Sequence, residues 1–171
     1  KSIELVVFDV NTRHNNILFE PFKKHIQLIY GSLTRLSDIH KIPGKLDAVI
    51  HLAALIPPAA DKKPVLTKKI NVEGTKNLIE HLENTSPDSF FLYSSSVAVY
   101  GDRIKNPGIT TKDSINPGKD DTYGQSKAEA EKIIQESKLD WTIFRLAAIM
   151  KNHKISKLMF IINFLENAST H

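Results

Sequence analysis

The segment YSSSVAVYGD, residues 93–102, is followed after a polar loop by YGQSKAEAEK, residues 123–132. A strand running out into a serine cluster, then a tyrosine and a lysine four residues apart at the start of a helix, supplies the parts for moving a proton and a hydride at a sugar or alcohol carbon. Tyr123 and Lys127 by themselves are a weak signal, because their spacing also describes a helix-start tyrosine with a solvated lysine. The serines Ser94, Ser95 and Ser96, on a strand of their own, sharpen it. Their ordinary alternative is a polar strand end that caps a sheet.

The elements that must position these groups can be read from periodicity. Residues 3–10, 25–30, 46–54, 89–99 and 141–150 are apolar runs rich in Val, Ile, Phe and Tyr, which predicts strands. Residues 34–42, 64–84 and 122–139 carry helical spacing. The βα alternation predicts an α/β fold of five parallel strands in one doubly wound sheet, covered by helices on both faces. In the helix over 64–84, Ile70, Leu78 and Leu82 form an inward stripe with Asn71, Gly74 and Thr75 beside it. A mid-helix glycine costs about 1 kcal/mol relative to alanine, so Gly74 is expected to permit a close approach of helix to sheet. The loop over 102–121 holds two Pro-Gly pairs and no periodicity, which marks a surface excursion.

Composition narrows the class. The chain has 171 residues, 41% hydrophobic and 25% charged, enough for one domain with a core. It contains no cysteine, which excludes disulfides, thiol catalysis and cysteine-ligated metals. The net charge is +4, but the lysines are scattered without clustered arginines or interleaved aromatics, so no nucleic-acid partner is expected. No apolar run approaches the ~20 residues that cross a bilayer, and no signal-peptide core is seen, so no membrane partner and a cytoplasmic location are expected. His51 has no second histidine or carboxylate at ligand spacing, and neither a catalytic nor a metal role is assigned to it.

Taken together, VVFDV, LIYGSL, DAVIHLAAL, NVEGTKNLIE, YSSSVAVYGD, YGQSK and WTIFRLAAI resemble, in order, segments of the extended short-chain dehydrogenase/reductase family, of the NAD-dependent epimerase/dehydratase type. The resemblance covers residues 3–150 and implies a Rossmann-like dinucleotide-binding domain over 1–150. It also implies a helical start of a substrate-domain segment over 151–171, where Ile155, Leu158, Met159, Ile162 and Leu165 form one apolar stripe. Tyr123 would be the general acid/base for a substrate hydroxyl while hydride passes to or from the nicotinamide. Lys127, one helical turn away on the same face, would favour the phenolate and hold the nicotinamide ribose. Ser96 would polarise the reacting oxygen. Asp9, at a strand end, would bind the adenosine ribose hydroxyls, which favours NAD over NADP because a carboxylate repels a 2′-phosphate; nearby Arg13 works against that preference. Gly31, Ser32, Leu33, Leu52, Ala53, Ala54, Asn71, Ser94 and Ala148 complete the cofactor positions that the resemblance implies.

The departures matter as much. The Gly-x-x-Gly-x-x-Gly phosphate turn is absent from the sequence, whose first glycine is Gly31, so the family pattern is N-terminally incomplete and a preceding βα unit is expected. Ser32 stands where the family often has an aspartate, and Ser96-Val97-Ala98 stands where its dehydratases have Thr-Asp-Glu, which argues against dehydration. The expected activity is an NAD-dependent epimerase or oxidoreductase acting on a nucleotide sugar or related small molecule, with room for a homodimer. The alternative is a non-catalytic Rossmann-like regulatory or interaction module, which the missing glycine turn favours.

Overall fold

The computed structural model describes residues 3–147. Strands β1 (Leu5–Asp9), β2 (Ile26–Tyr30), β3 (Ala48–His51), β4 (Phe90–Ser96) and β5 (Asp140–Leu146) alternate with helical segments. The α-helices are α1 (Arg13–Phe19), α2 (Leu36–Ile39), α3 (Ala59–Lys62), α4 (Pro64–Lys68), α5 (Gly74–Thr85) and α6 (Thr122–Gln135). Every ladder is parallel, as the alternation requires: β1 with β2, β3 with β4, and β4 with β5. The fold is therefore of the expected α/β, Rossmann-like class.

The single five-stranded sheet does not form. The described strands make a two-stranded sheet, β1–β2, and a three-stranded sheet, β3–β4–β5. Alternation and right-handed crossovers fix the direction of neighbouring strands but not which edges meet, so a break between two parallel ladders leaves no mark on the pattern. One core nevertheless serves both sheets. Ile39, Leu82, Phe91 and Ile134 are fully buried in it, each stabilising by about 1.5–3 kcal/mol, and Phe8 of β1 and Val49 of β3 both pack against it.

The continuous helix expected over 64–84 is interrupted. Between α4 and α5 the backbone makes a π-helical segment, Lys69–Glu73, in which the neighbours Asn71 and Val72 are both buried. A π turn admits an extra residue and so shifts the inward stripe. Beyond it α5 buries Gly74, Thr75, Leu78, Ile79 and Leu82, while Ile70 is only half-buried. Helix α6 begins where Asp121 caps it, accepting the Gly124 N–H at 2.7 Å, and ends at Gln135, four residues short of the expected boundary. Helix α1 was not legible in the apolar pattern because it buries only Phe19; its signal is the Thr12 cap, whose hydroxyl accepts the Asn15 N–H at 3.1 Å. The expected segment over 151–171 lies outside the described residues.

Gly74 is indeed at a close approach, but to the loop after β2 rather than to a strand. A Cβ there would stand 2.9 Å from the Leu33 Cβ. Gly74→Ala should therefore lower stability by about 1–3 kcal/mol, the cost of overpacking, despite alanine's better helix propensity. Chemical denaturation checks the sign; a stabilised variant would show that the Leu33 loop yields freely.

Candidate functional site

The site is built at the carboxyl end of β4, whose residues alternate between faces. Phe91, Tyr93 and Ser95 are buried, while Leu92, Ser94 and Ser96 are half-buried. Helix α6 lies against this end. Lys127 is only 2% exposed, which rules out a solvated lysine. Its ammonium donates to the Ser94 carbonyl at 2.7 Å, stands 4.6 Å from the centre of the Tyr93 ring and 5.8 Å from that of Tyr123. The carbonyl and the ring faces replace part of the water that the ammonium has lost.

Tyr123, one turn earlier, is half-buried. Burial raises its phenol pKa above the ordinary value, the Asp121 carboxylate adds to the rise, and the nearby Ser96 side chain opposes it. The Ser96 and Tyr123 side chains thus lie near enough to influence one another. The net direction is upward, however, whereas the resemblance implies a phenolate favoured by Lys127; desolvation outweighs the opposing interaction. Ser96 also accepts the Ala98 N–H at 3.2 Å, which starts the 3₁₀ turn Val97–Tyr100.

Asn71 is 1% exposed, and its amide is committed to the protein rather than open to a channel. Its oxygen accepts the Leu55 N–H at 2.7 Å, and its nitrogen donates to the Leu55 carbonyl at 3.0 Å and to the Ser126 hydroxyl at 2.9 Å. Ser126 in turn donates to the Tyr123 carbonyl at 2.8 Å. Asn71 therefore ties the chain leaving β3 to the first turn of α6. In that stretch Ala53 is exposed, and Leu52 and Ala54 are half-buried.

A second group lies at the ends of β1 and β2. Asp9 closes β1, its carboxylate accepting the Val10 N–H at 2.7 Å and its carbonyl accepting the Gly31 N–H at 3.0 Å. Gly31 is buried where a Cβ would stand 2.6 Å from the Phe8 ring. Ser32 is half-buried, and Leu33 is a core residue. Sequence reasoning missed Asp38, which organises this turn. Its buried carboxylate accepts Lys41 Nζ at 2.6 Å, Arg35 Nε at 2.7 Å and the Ser32 N–H at 3.0 Å, and Lys41 above all holds its pKa down at about 2. Aspartate with basic residues three positions away on either side was the available signal. Ala148 lies outside the described residues.

His51 sits beneath the site, its Nε2 2.9 Å from the Thr75 hydroxyl. Burial, with a smaller contribution from the Lys127 charge, lowers its pKa to about 3. The ring is neutral at neutral pH. Because the folded value lies below the unfolded one of about 6.5, the stability linked to His51 is complete above that pH and is lost as pH falls towards about 3. His51→Gln, which keeps a polar partner for Thr75, should flatten that part of the stability profile. Urea unfolding of both proteins across the range measures it, and parallel profiles would mean that His51 does not report its buried state.

The comparisons with known proteins fit this arrangement. A family model, "NAD dependent epimerase/dehydratase family", matches residues 1–167. D-erythronate dehydrogenase of Haemophilus influenzae is 33% identical over 95 residues, which are 56% of this chain and 29% of that protein. UDP-glucose 4-epimerase of Lactobacillus helveticus is 37% identical over 91 residues, 53% of this chain and 26% of that one. A solved UDP-glucose 4-epimerase superposes with a TM-score of 0.70 at 28% identity, over 84% of this chain and 44% of its own. The chain thus spans less than half the length of each of these relatives. Among the described residues, no helix is long and apolar enough to cross a membrane.

Proposed function

The chain belongs to the NAD-dependent epimerase/dehydratase family, and from that premise we propose that it carries the proton-transfer site of an NAD-dependent epimerase or oxidoreductase. Its substrate would be a nucleotide sugar or a related hydroxy compound. The observation that carries this reading is the buried Lys127 ammonium on the Ser94 carbonyl, 5.8 Å from the centre of the Tyr123 ring one turn earlier on the same helix. NAD supplies the hydride acceptor when it is bound. The chain's own residues fit its two ends: the Asp9 carboxylate suits the hydroxyls of the adenosine ribose, and Lys127 suits those of the nicotinamide ribose. Ala53, small and exposed, leaves room for a ligand beside the end of β3.

At the reacting oxygen, Tyr123 Oη holds the proton that a carbonyl takes up or a hydroxyl gives away. Ser96 donates a hydrogen bond where negative charge grows, a contribution that increases toward the transition state. Lys127 offsets the charge on the phenolate. The second reading is a non-catalytic module of the same fold.

Mutagenesis in the full-length protein separates the two. With UDP-glucose and D-erythronate as trial substrates, Tyr123→Phe should leave NAD affinity nearly intact and lower kcat by ~10²–10⁴. Lys127→Met should weaken both NAD binding and turnover, and Ser96→Ala should lower kcat alone. Undiminished turnover in Tyr123→Phe would give precedence to the non-catalytic module.

Calorimetry tests the cofactor side independently. NAD titrated onto the 171 residues alone should bind more weakly than onto the same chain carrying a glycine-turn βα unit ahead of β1, because a pyrophosphate needs backbone N–H groups at a helix N-terminus. Equal, tight binding by both would mean that another loop of this chain holds the phosphates.

A further inference from the structure

Helix α6 carries a second buried charge that proton transfer does not use. Glu131 lies one turn after Lys127 on the same face, and its exposure is 0% against 2% for the lysine. The carboxylate is held from the other side. Arg145 of β5 donates from Nε to its two oxygens at 3.1 and 3.2 Å, and from Nη2 at 2.8 Å. The Ser95 hydroxyl donates to the same carboxylate, and Arg145 Nη1 donates to the Tyr100 hydroxyl at 2.6 Å. Ser95 and Arg145 stand opposite each other in the β4–β5 ladder, next to Ser94, which receives Lys127. The Glu131–Arg145 pair and the Lys127 ammonium therefore line one seam between α6 and β4, one helical turn apart.

We propose that Arg145 is a positioning residue for the site: by holding the Glu131 carboxylate, it keeps that acid from drawing Lys127 off the Ser94 carbonyl and away from Tyr123. The inference rests on the reading of Tyr123 and Lys127 as the proton-transfer pair. A purely structural ion pair would only fasten α6 to β4 and β5. The two roles diverge when the acid is removed together with the guanidinium, because positioning needs a carboxylate to restrain and fastening does not.

Among the described residues, the surrounding groups leave Glu131 as the charge whose partner changes. His51 of β3 is neutral, and Tyr93 of β4 and Tyr100 of the 3₁₀ turn present phenols. Asp121 is fixed as the cap of α6, and on the outer face Lys68 of α4 bridges Glu129 at 3.1 Å. Once released, the Glu131 carboxylate would both attract Lys127 and oppose a phenolate at Tyr123, so the phenol midpoint would move upward.

The test uses the full-length protein with ring-labelled tyrosine, the Tyr123 signal being assigned by Tyr123→Phe. Arg145→Met should raise the Tyr123 titration midpoint by about one pH unit. It should also lower turnover of whichever of UDP-glucose or D-erythronate the wild type accepts by about tenfold. The double variant Glu131→Gln/Arg145→Met should return the midpoint to near its wild-type position and recover most of the turnover, and Arg145→Lys should resemble the wild type throughout. If Arg145→Met does not fold, Arg145→Gln, which keeps a donor but no cation, gives the same comparison. A double variant no better than the single one in both readouts overturns the proposal. A midpoint that follows the expected pattern while Tyr123→Phe retains turnover sinks the catalytic reading and leaves the positioning role standing. A flat midpoint with an inactive Tyr123→Phe does the reverse.

Discussion

The burial of one ammonium group organises this structure. Removing a lysine head group from water has an effective penalty of several kcal/mol, so it persists only where fixed dipoles take over its hydration. Lys127 meets the Ser94 carbonyl and the face of Tyr93, and both belong to β4. That contact fixes the height of α6 along β4, and with it the place of Tyr123 beside Ser96. The neutral histidine below follows mainly from its own burial, and the nearby cation adds to its resistance to protonation.

The rest of the site holds α6 and the loops to that position. The π turn before α5 turns Asn71 inward, where its amide joins the chain after β3 to Ser126 and thus to the backbone at Tyr123. The strand ends of both sheets meet the same stretch of helix. Leu55, beyond β3, is held by Asn71, while Leu33, beyond β2, packs against Gly74 and accepts a hydrogen bond from Asn77 at 3.0 Å. Two sheets without a shared ladder are therefore still registered to each other, through side chains on one helix and a common core.

How much of this could be read from the sequence follows from the range of each interaction. Strand positions were legible because they depend on short apolar runs, and the α/β class because it depends on their alternation. The π turn was not, since Lys69–Glu73 has the composition of any amphipathic helix. Tyr123 and Lys127 were legible as residues on one face, but a spacing of four cannot say whether the lysine is buried; that depends on β4. Ser95 was legible only as one of a serine cluster, because its partner Glu131 lies 36 residues further on. Asn71 was legible as a residue of the site but not as a clamp, because its partner is the backbone of Leu55, which no side-chain pattern reports.

Under the proposed function, the direction of the Tyr123 shift carries a chemical consequence. A phenol held above its ordinary value enters the reaction at neutral pH with its proton, as a donor to a carbonyl oxygen. In the other direction it must accept a proton, and its phenolate form is the one that burial disfavours. Burial also strengthens any opposite charge nearby, because the effective dielectric falls for attraction as it does for solvation. Lys127, on the same helix face with its ammonium 5.8 Å from the centre of the Tyr123 ring, is that charge. Under that reading the resting structure sets Tyr123 as a proton donor, and in the reverse direction the Lys127 charge has to outweigh the burial that disfavours the phenolate.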